Sequence, residues 1–190
     1  TYRELHGKAV KTVTTNPTDD AAEGQIWFNS TDNKFKSVVG ITATRSGSFM
    51  STTRGNGGSI GSTRDASAVA GGYTSTANTN VTEEFNGSGF STGGNLNTSR
   101  RALTGTGVIT AGLVCAGYAA TESNATEEYD GSAFSNGGNL NTARFHTGTF
   151  GTQTAGVAAG GSAPSPAKNV TEEYNGSAWT TVPATLSVGR

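Results

Sequence analysis

The chain has 190 residues, with 13 basic against 14 acidic side chains and only 33% hydrophobic residues. That balance excludes bulk electrostatic attraction to nucleic acid or to an anionic membrane, and no stretch approaches the roughly 18 consecutive apolar residues of a membrane span. Gly, Ser, Thr and Asn dominate, a mixture that alone would suit a disordered chain, yet Phe, Tyr and Trp return at matched positions, which only a folded structure requires.

Residues 1 to 20 are polar, with Lys8, Lys11, a Thr-rich run and Pro17, and read as an extended arm. Residues 24–39 place aromatic-bearing runs on either side of Asn29-Ser30-Thr31-Asp32-Asn33, a hairpin in which Ile26, Trp27, Phe28 and Phe35 are the anchoring residues. Phe28 lies 57 residues before Phe85, out of phase with the aromatics of the later chain. Residues 1–45 are therefore read as a separate small module whose arm docks on something else, with the alternative that its hairpin is an outer one closing the repeat array.

From Met50 the chain repeats itself. Thr82-Glu83-Glu84-Phe85-Asn86-Gly87, Thr126-Glu127-Glu128-Tyr129-Asp130-Gly131 and Thr171-Glu172-Glu173-Tyr174-Asn175-Gly176 are near copies, and each leads to a second aromatic, Phe90, Phe134 or Trp179. Phe85 to Tyr129 is 44 residues and Tyr129 to Tyr174 is 45, a period that marks a repeat architecture. Asn-Gly or Asp-Gly between β-prone runs predicts a tight hairpin with positive φ at both central residues. A second landmark places an apolar residue four before Arg54, Arg100, Arg144 and Arg190, and a third is a small-residue strand end at Gly71-Gly72, Ala116-Gly117 and Gly160-Gly161. In the second repeat the predicted strands run over 101–106, 111–118, 125–129 and 132–136. Residues 46–190 thus divide into repeats at 50–95, 96–139 and 140–185, with a fourth beginning at 186. Three repeats fall short of a closed ring, so either the polypeptide continues or several chains combine.

The chemistry-bearing residues form no catalytic or metal pattern. Cys115, the single cysteine, sits among Leu113, Val114 and Ala116 and reads as a buried strand residue, and His6 and His146 are isolated. In each glutamate pair, adjacent strand residues point to opposite faces, so no pair can serve as acid and base across one substrate; the pairs are expected to be solvated or to protect sheet edges. The arginines are expected to bond carbonyls of a neighbouring sheet. The variable loops bearing Thr74, Asn78, Glu122, Asn124, Ser165 and Lys168 are the expected recognition surface.

Gly160-Gly161, Val170 to Tyr174, Trp179 to Pro183 and Arg190 resemble the kelch repeat, a β-propeller blade with a Gly pair, a spaced Tyr and Trp, and a Pro-containing link to an Arg. The resemblance covers residues 50 to 190, with Phe90 and Phe134 replacing the Trp in two units. It implies an all-β chain of kelch-like blades, each a four-stranded antiparallel sheet, preceded by the N-terminal hairpin. Gly-Gly-Asn-Leu-Asn-Thr-x-Arg at 93–100 and 137–144 is similar to kelch-like proteins of bacteriophages, and residues 24–36 to a hairpin of phage tail and fibre proteins. Together these imply a non-enzymatic, homo-oligomeric virion structural protein without a cofactor. Its N-terminal segment would bind other virion proteins, and its propeller would meet a host-surface glycan or protein. The alternatives are a capsid decoration or collar protein, and a glycan-acting propeller enzyme.

Overall fold

The computed structural model describes residues 11–13, 26–31, 33–37, 49–163 and 167–189. The chain divides into two compact units, Thr1–Gly47 and Ser48–Arg190. The first contains β1 (Lys11–Val13), β2 (Ile26–Asn29) and β3 (Lys34–Ser37). The expected hairpin pairs β2 with β3, Phe28 opposite Phe35, and β1 joins in parallel, with Thr12 opposite Phe28. The arm thus supplies a strand of its own. Phe28 is half-buried, and Asn29 Oδ1 accepts the N–H of Thr31 at 2.9 Å to close the turn. The side chains of Ile26, Trp27 and Phe35 lie outside the described residues, as do Ser165 and Arg190.

The second unit is three four-stranded antiparallel sheets, each a simple meander, and no helix occurs among the described residues. The first sheet is β4 (Gly58–Thr63), β5 (Ala66–Tyr73), β6 (Asn78–Phe85) and β7 (Phe90–Thr92). The second is β8 (Thr104–Val108), β9 (Ala111–Cys115), β10 (Thr126–Tyr129) and β11 (Phe134–Asn136). The third is β12 (Gly148–Thr152), β13 (Ala155–Ala159), β14 (Thr171–Tyr174) and β15 (Trp179–Val182). All four strands expected in the second repeat are present; β8 is displaced, starting three residues later and ending two later than expected, and the other three are shorter. The left-handed φ of Ala116 and Gly117, 61° and 109°, ends β9 at Cys115.

The hairpin turns differ from the sequence expectation. Phe85 pairs with Phe90 and Tyr129 with Phe134, so the loop has four residues, and within it only Gly87, Gly131 and Gly176 have positive φ. Asn86, Asp130 and Asn175 instead use their side chains, each accepting two main-chain N–H groups, as Asp130 Oδ1 does from Ser132 and Ala133 at 2.8 Å. This Asx geometry closes the turn through the side chain, which frees the backbone from a two-residue mirror turn.

Hydrophobic cores lie between successive sheets. Ile60, Ala70, Leu96, Leu103, Val114, Tyr129 and Phe134 fill the space between the first and second. Leu113, Cys115, Ala116, Leu140, Ala158, Tyr174 and Trp179 fill that between the second and third. Alternation along each strand explains the division, since Leu113 and Val114 face different cores. The backbone also crosses between repeats: the N–H of Ala102 donates to Asn56 O at 2.7 Å and that of His146 to Ala102 O at 2.9 Å. Asn56, Ala102 and His146 share left-handed φ of 58°, 53° and 52°, so the irregular sequence of the first repeat follows the same path as the others.

Candidate functional site

The recurring charges form a lattice that holds the sheets. Arg100 and Arg144 are wholly buried, reaching Glu127 at 2.8 Å and Glu172 at 2.9 Å, and the buried Arg54 side chain reaches Glu83 at 2.9 Å. Arg100 also donates to the carbonyls of Ala116 and Ala125 at 2.9 and 2.7 Å. These partners belong to the arginine's own sheet, which corrects the expectation of bonds to a neighbour. The contact with the preceding sheet runs instead through the main chain, where Arg100 O accepts from Gly72 N and Arg144 O from Gly117 N, both at 2.9 Å.

The expectation of solvated glutamates fails for the first of each pair, for Glu83, Glu127 and Glu172 are buried, and holds for Glu173, which is exposed. Beyond the guanidinium, Glu127 Oε2 accepts Asn97 N at 2.6 Å and Glu172 Oε2 accepts Asn141 N at 2.7 Å, so the carboxylate caps the linker that enters its sheet. Burial pushes the Glu83 carboxyl up, but the N–H groups of Ser51 and Thr52 and the Arg54 charge outweigh it and hold it below the ordinary range. Burial also lowers the Arg100 guanidinium, and Glu127 restores part of the loss. Cys115 is pushed up to about 12 by burial, against the pull of Arg100 and Arg144, and serves as an apolar filler.

The second glutamate of each pair faces the other way. Tyr129 donates its hydroxyl to Glu84 and Tyr174 donates to Glu128 Oε1 at 2.6 Å, so each sheet after the first ties back to its predecessor. Burial, then the bond to the carboxylate, raises both tyrosines to about 12. Trp179 Nε1 donates to Thr126 Oγ1 at 2.9 Å. Phe134 is the counterpart of Trp179 in the second repeat and has no ring donor, and the buried Thr82 Oγ1, counterpart of Thr126, has no hydrogen-bond partner. The aromatics expected to fill the gaps do so at Tyr129, Phe134, Tyr174 and Trp179, whereas Phe85 and Phe90 are half-exposed, their rings 5.0 Å apart.

The expected recognition loops are partly tied down. Asn78 Nδ2 donates to Tyr118 O and Ala119 O at 3.1 and 2.7 Å, and its Oδ1 accepts from Arg101 at 3.2 Å, so it joins the first sheet to the second. Asn124 Nδ2 donates to Leu140 O at 3.0 Å. Thr74 Oγ1 donates to Ala77 O at 3.1 Å within its own turn, and Glu122 and Lys168 are half-buried.

Sequence reasoning missed a row of rings at the same rim. Arg101 lies 4.7 Å from the Tyr73 ring and 4.8 Å from that of Tyr118, and Tyr118 meets Phe145 edge-on at 6.0 Å. The cue was available, since Arg101 and Phe145 both follow the repeat arginine directly, and position 101 of one repeat covers the Tyr of the one before.

The first strands of the three sheets border a cleft of about 520 Å³, where Ser59, Thr106, Gly107, Gly151, Gln153 and Thr154 contribute to the lining. The lining carries hydroxyl, amide and main-chain groups without a charged side chain. It can hydrogen-bond, and it supplies no carboxylate or imidazole for proton transfer. Among the described residues no group of three His, Cys, Asp or Glu could hold a metal, and no helix is long and apolar enough to cross a membrane. The chain matches no protein-family model, and no curated protein matches it significantly.

Proposed function

We propose that the three sheets are blades of a kelch-like β-propeller, and that the chain is a non-enzymatic structural protein of a bacteriophage particle. In this reading it belongs to a tail or fibre appendage, attaches to other virion proteins through its N-terminal unit, and presents its rim to a host-surface glycan or protein. The observation that carries the presenting role is the commitment of every described repeat arginine and first-position glutamate to bracing the linker against its own sheet. The chemistry that recurs is spent on stiffness, while the segments at 74–80, 119–124 and 162–168 are where the repeats differ. The placement on a phage rests on the sequence resemblance of residues 24–36 and 93–100. A stiff scaffold repeated in many copies converts weak single contacts into avid attachment.

A second reading, as a decoration or collar protein, draws on Asn78 and Asn124, whose side chains are bound to main-chain carbonyls and so are unavailable to a ligand. Adsorption assays separate the two. Purified chain should compete with particles for host cells, and particles depleted of it should adsorb poorly while remaining intact. Normal adsorption by particles that fall apart would support the decoration role and overturn the presenting one.

A further inference from the structure

Among the described residues, Arg54, Arg64, Arg100 and Arg144 each reach a carboxylate oxygen at 2.8 to 3.4 Å, whereas Arg101 reaches none. Its guanidinium carbon lies instead over two tyrosine rings, 4.7 Å from the centre of Tyr73 and 4.8 Å from that of Tyr118. Aromatic faces hold a cation in place without neutralising it. Asn78 sets the orientation, since its amide nitrogen is bound to Tyr118 O and Ala119 O while its oxygen accepts from Arg101 Nη1 at 3.2 Å. That is the one side-chain hydrogen bond Arg101 makes within the described residues, and none of its remaining N–H groups is sealed from solvent.

The two tyrosines differ from the buried ones in the same way. Tyr129 and Tyr174 give their hydroxyls to glutamates, whereas those of Tyr73 and Tyr118 have no partner among the described residues and stay open to solvent. Phe145, half-exposed, meets Tyr118 edge-on at 6.0 Å and lies 5.1 Å from the ring of the exposed His146. Glu122, the main-chain partner of Tyr118, forms no ion pair with Arg101. An unpaired cation, free phenol hydroxyls and half-exposed rings therefore meet at one place on the rim.

We propose that Tyr73, Arg101, Tyr118 and Phe145 form a binding site for an acidic sugar, a uronate residue of a host-surface polysaccharide; the assignment rests on the presenting reading and gives it a ligand class. The sugar carboxylate takes the free N–H groups of Arg101, in the planar fork-to-fork contact that guanidinium and carboxylate share. The apolar C–H face of the sugar lies against Phe145 and Tyr118, and the phenol hydroxyls bond its own hydroxyls. A sugar suits this rim better than an acidic peptide, because the neighbouring turns offer hydroxyls at Thr74, Thr76 and Thr121 and no large apolar side chain. With a single cation, and Glu122 on the adjoining turn, the site accepts one carboxylate and disfavours a densely sulfated or phosphorylated chain. Asn78 is a positioning residue here, since its own polar atoms are already bound.

Nuclear magnetic resonance titration of the full chain with oligosaccharides of glucuronate, galacturonate and mannuronate tests this, with the carboxyl-reduced form of each as its neutral control. The expected result is saturable binding of at least one of them, with shifts centred on Tyr73, Arg101, Tyr118 and Phe145. Affinity should fall at least about tenfold on carboxyl reduction and on Arg101→Gln, and Arg101→Lys, which keeps the charge and loses the fork, should fall in between. Carboxyl reduction alters the ligand alone, so the need for charge is read even where Arg101→Gln disturbs the rim. The proposal is overturned if no uronate binds, if the reduced forms or an oligoglutamate peptide bind equally well, or if the shifts centre elsewhere. Should every uronate fail while the purified chain still competes with particles for host cells, the sugar assignment falls and the presenting reading stands; failure in both assays removes both.

Discussion

The second and third sheets use nearly the same residues in nearly the same register, yet one is enclosed and the other open on one side. Glu128 takes the Tyr174 hydroxyl, while Glu173, its counterpart, is exposed. Thr126 is buried beneath Trp179, and Thr171 is only half-buried. A repeat's sequence therefore encodes half of each contact. Burial and pKa follow from what sits opposite, so identical residues differ in energetic weight according to their neighbour.

The largest effect separates the two glutamate positions. Glu127→Ala leaves the Arg100 charge buried without its partner and should cost about 3–5 kcal/mol, whereas Glu173→Ala should leave the monomer's stability almost unchanged. Urea denaturation of both variants under dilute conditions reads the contrast directly, and equal losses would refute it. Next in size is Gly138→Ala, whose methyl would overlap the carbonyl of Ser177. A clash with main chain forces the sheets apart and should cost about 1–3 kcal/mol, visible as a lower denaturation midpoint.

A smaller effect concerns the tyrosines. Tyr174→Phe removes the bond to Glu128 and should cost about 1.5–3 kcal/mol at neutral pH, the range for hydrogen bonds to charged groups. Because folding raises both tyrosines to about 12 from an ordinary value near 10, their contribution is fully present below about pH 10 and is lost as pH rises through the folded value. Melting temperature should therefore fall over that window, and in the Tyr129→Phe, Tyr174→Phe double variant it should fall less. Glu83 acts at the acid end with opposite sign: its lowered value contributes stability above the ordinary carboxyl range that is lost as pH drops through the folded value. The smallest expected change is a gain. Phe134→Trp would give Thr82 Oγ1 the donor that Trp179 gives Thr126, worth about 0.5–1.5 kcal/mol in thermal melts.

The repeated strands were legible because the aromatics and the Asn-Gly or Asp-Gly turns recur in phase, and alternation placed the two glutamates of each pair on opposite faces. What alternation withheld was the partner. A charged residue in a Thr- and Gly-rich strand reads as solvated until Arg100 is seen to reach Glu127 from a linker 27 positions away in sequence. The turns were misjudged for a related reason: Asn and Asp signal both a mirror turn and an Asx closure, and only the pairing of Phe85 with Phe90 shows which is used. The rim row of Tyr73, Arg101, Tyr118 and Phe145 escaped notice because its members come from consecutive repeats and from different positions within them.

If enclosure between neighbouring sheets, and not the repeat's own residues, sets the weight of each contact, the second and third sheets must differ in protection despite their shared register. Hydrogen exchange of the intact chain reads both sheets at once. The amides of β9 and β10 should exchange more slowly than those of β13 and β14. Equal protection of the two pairs of strands would contradict the account.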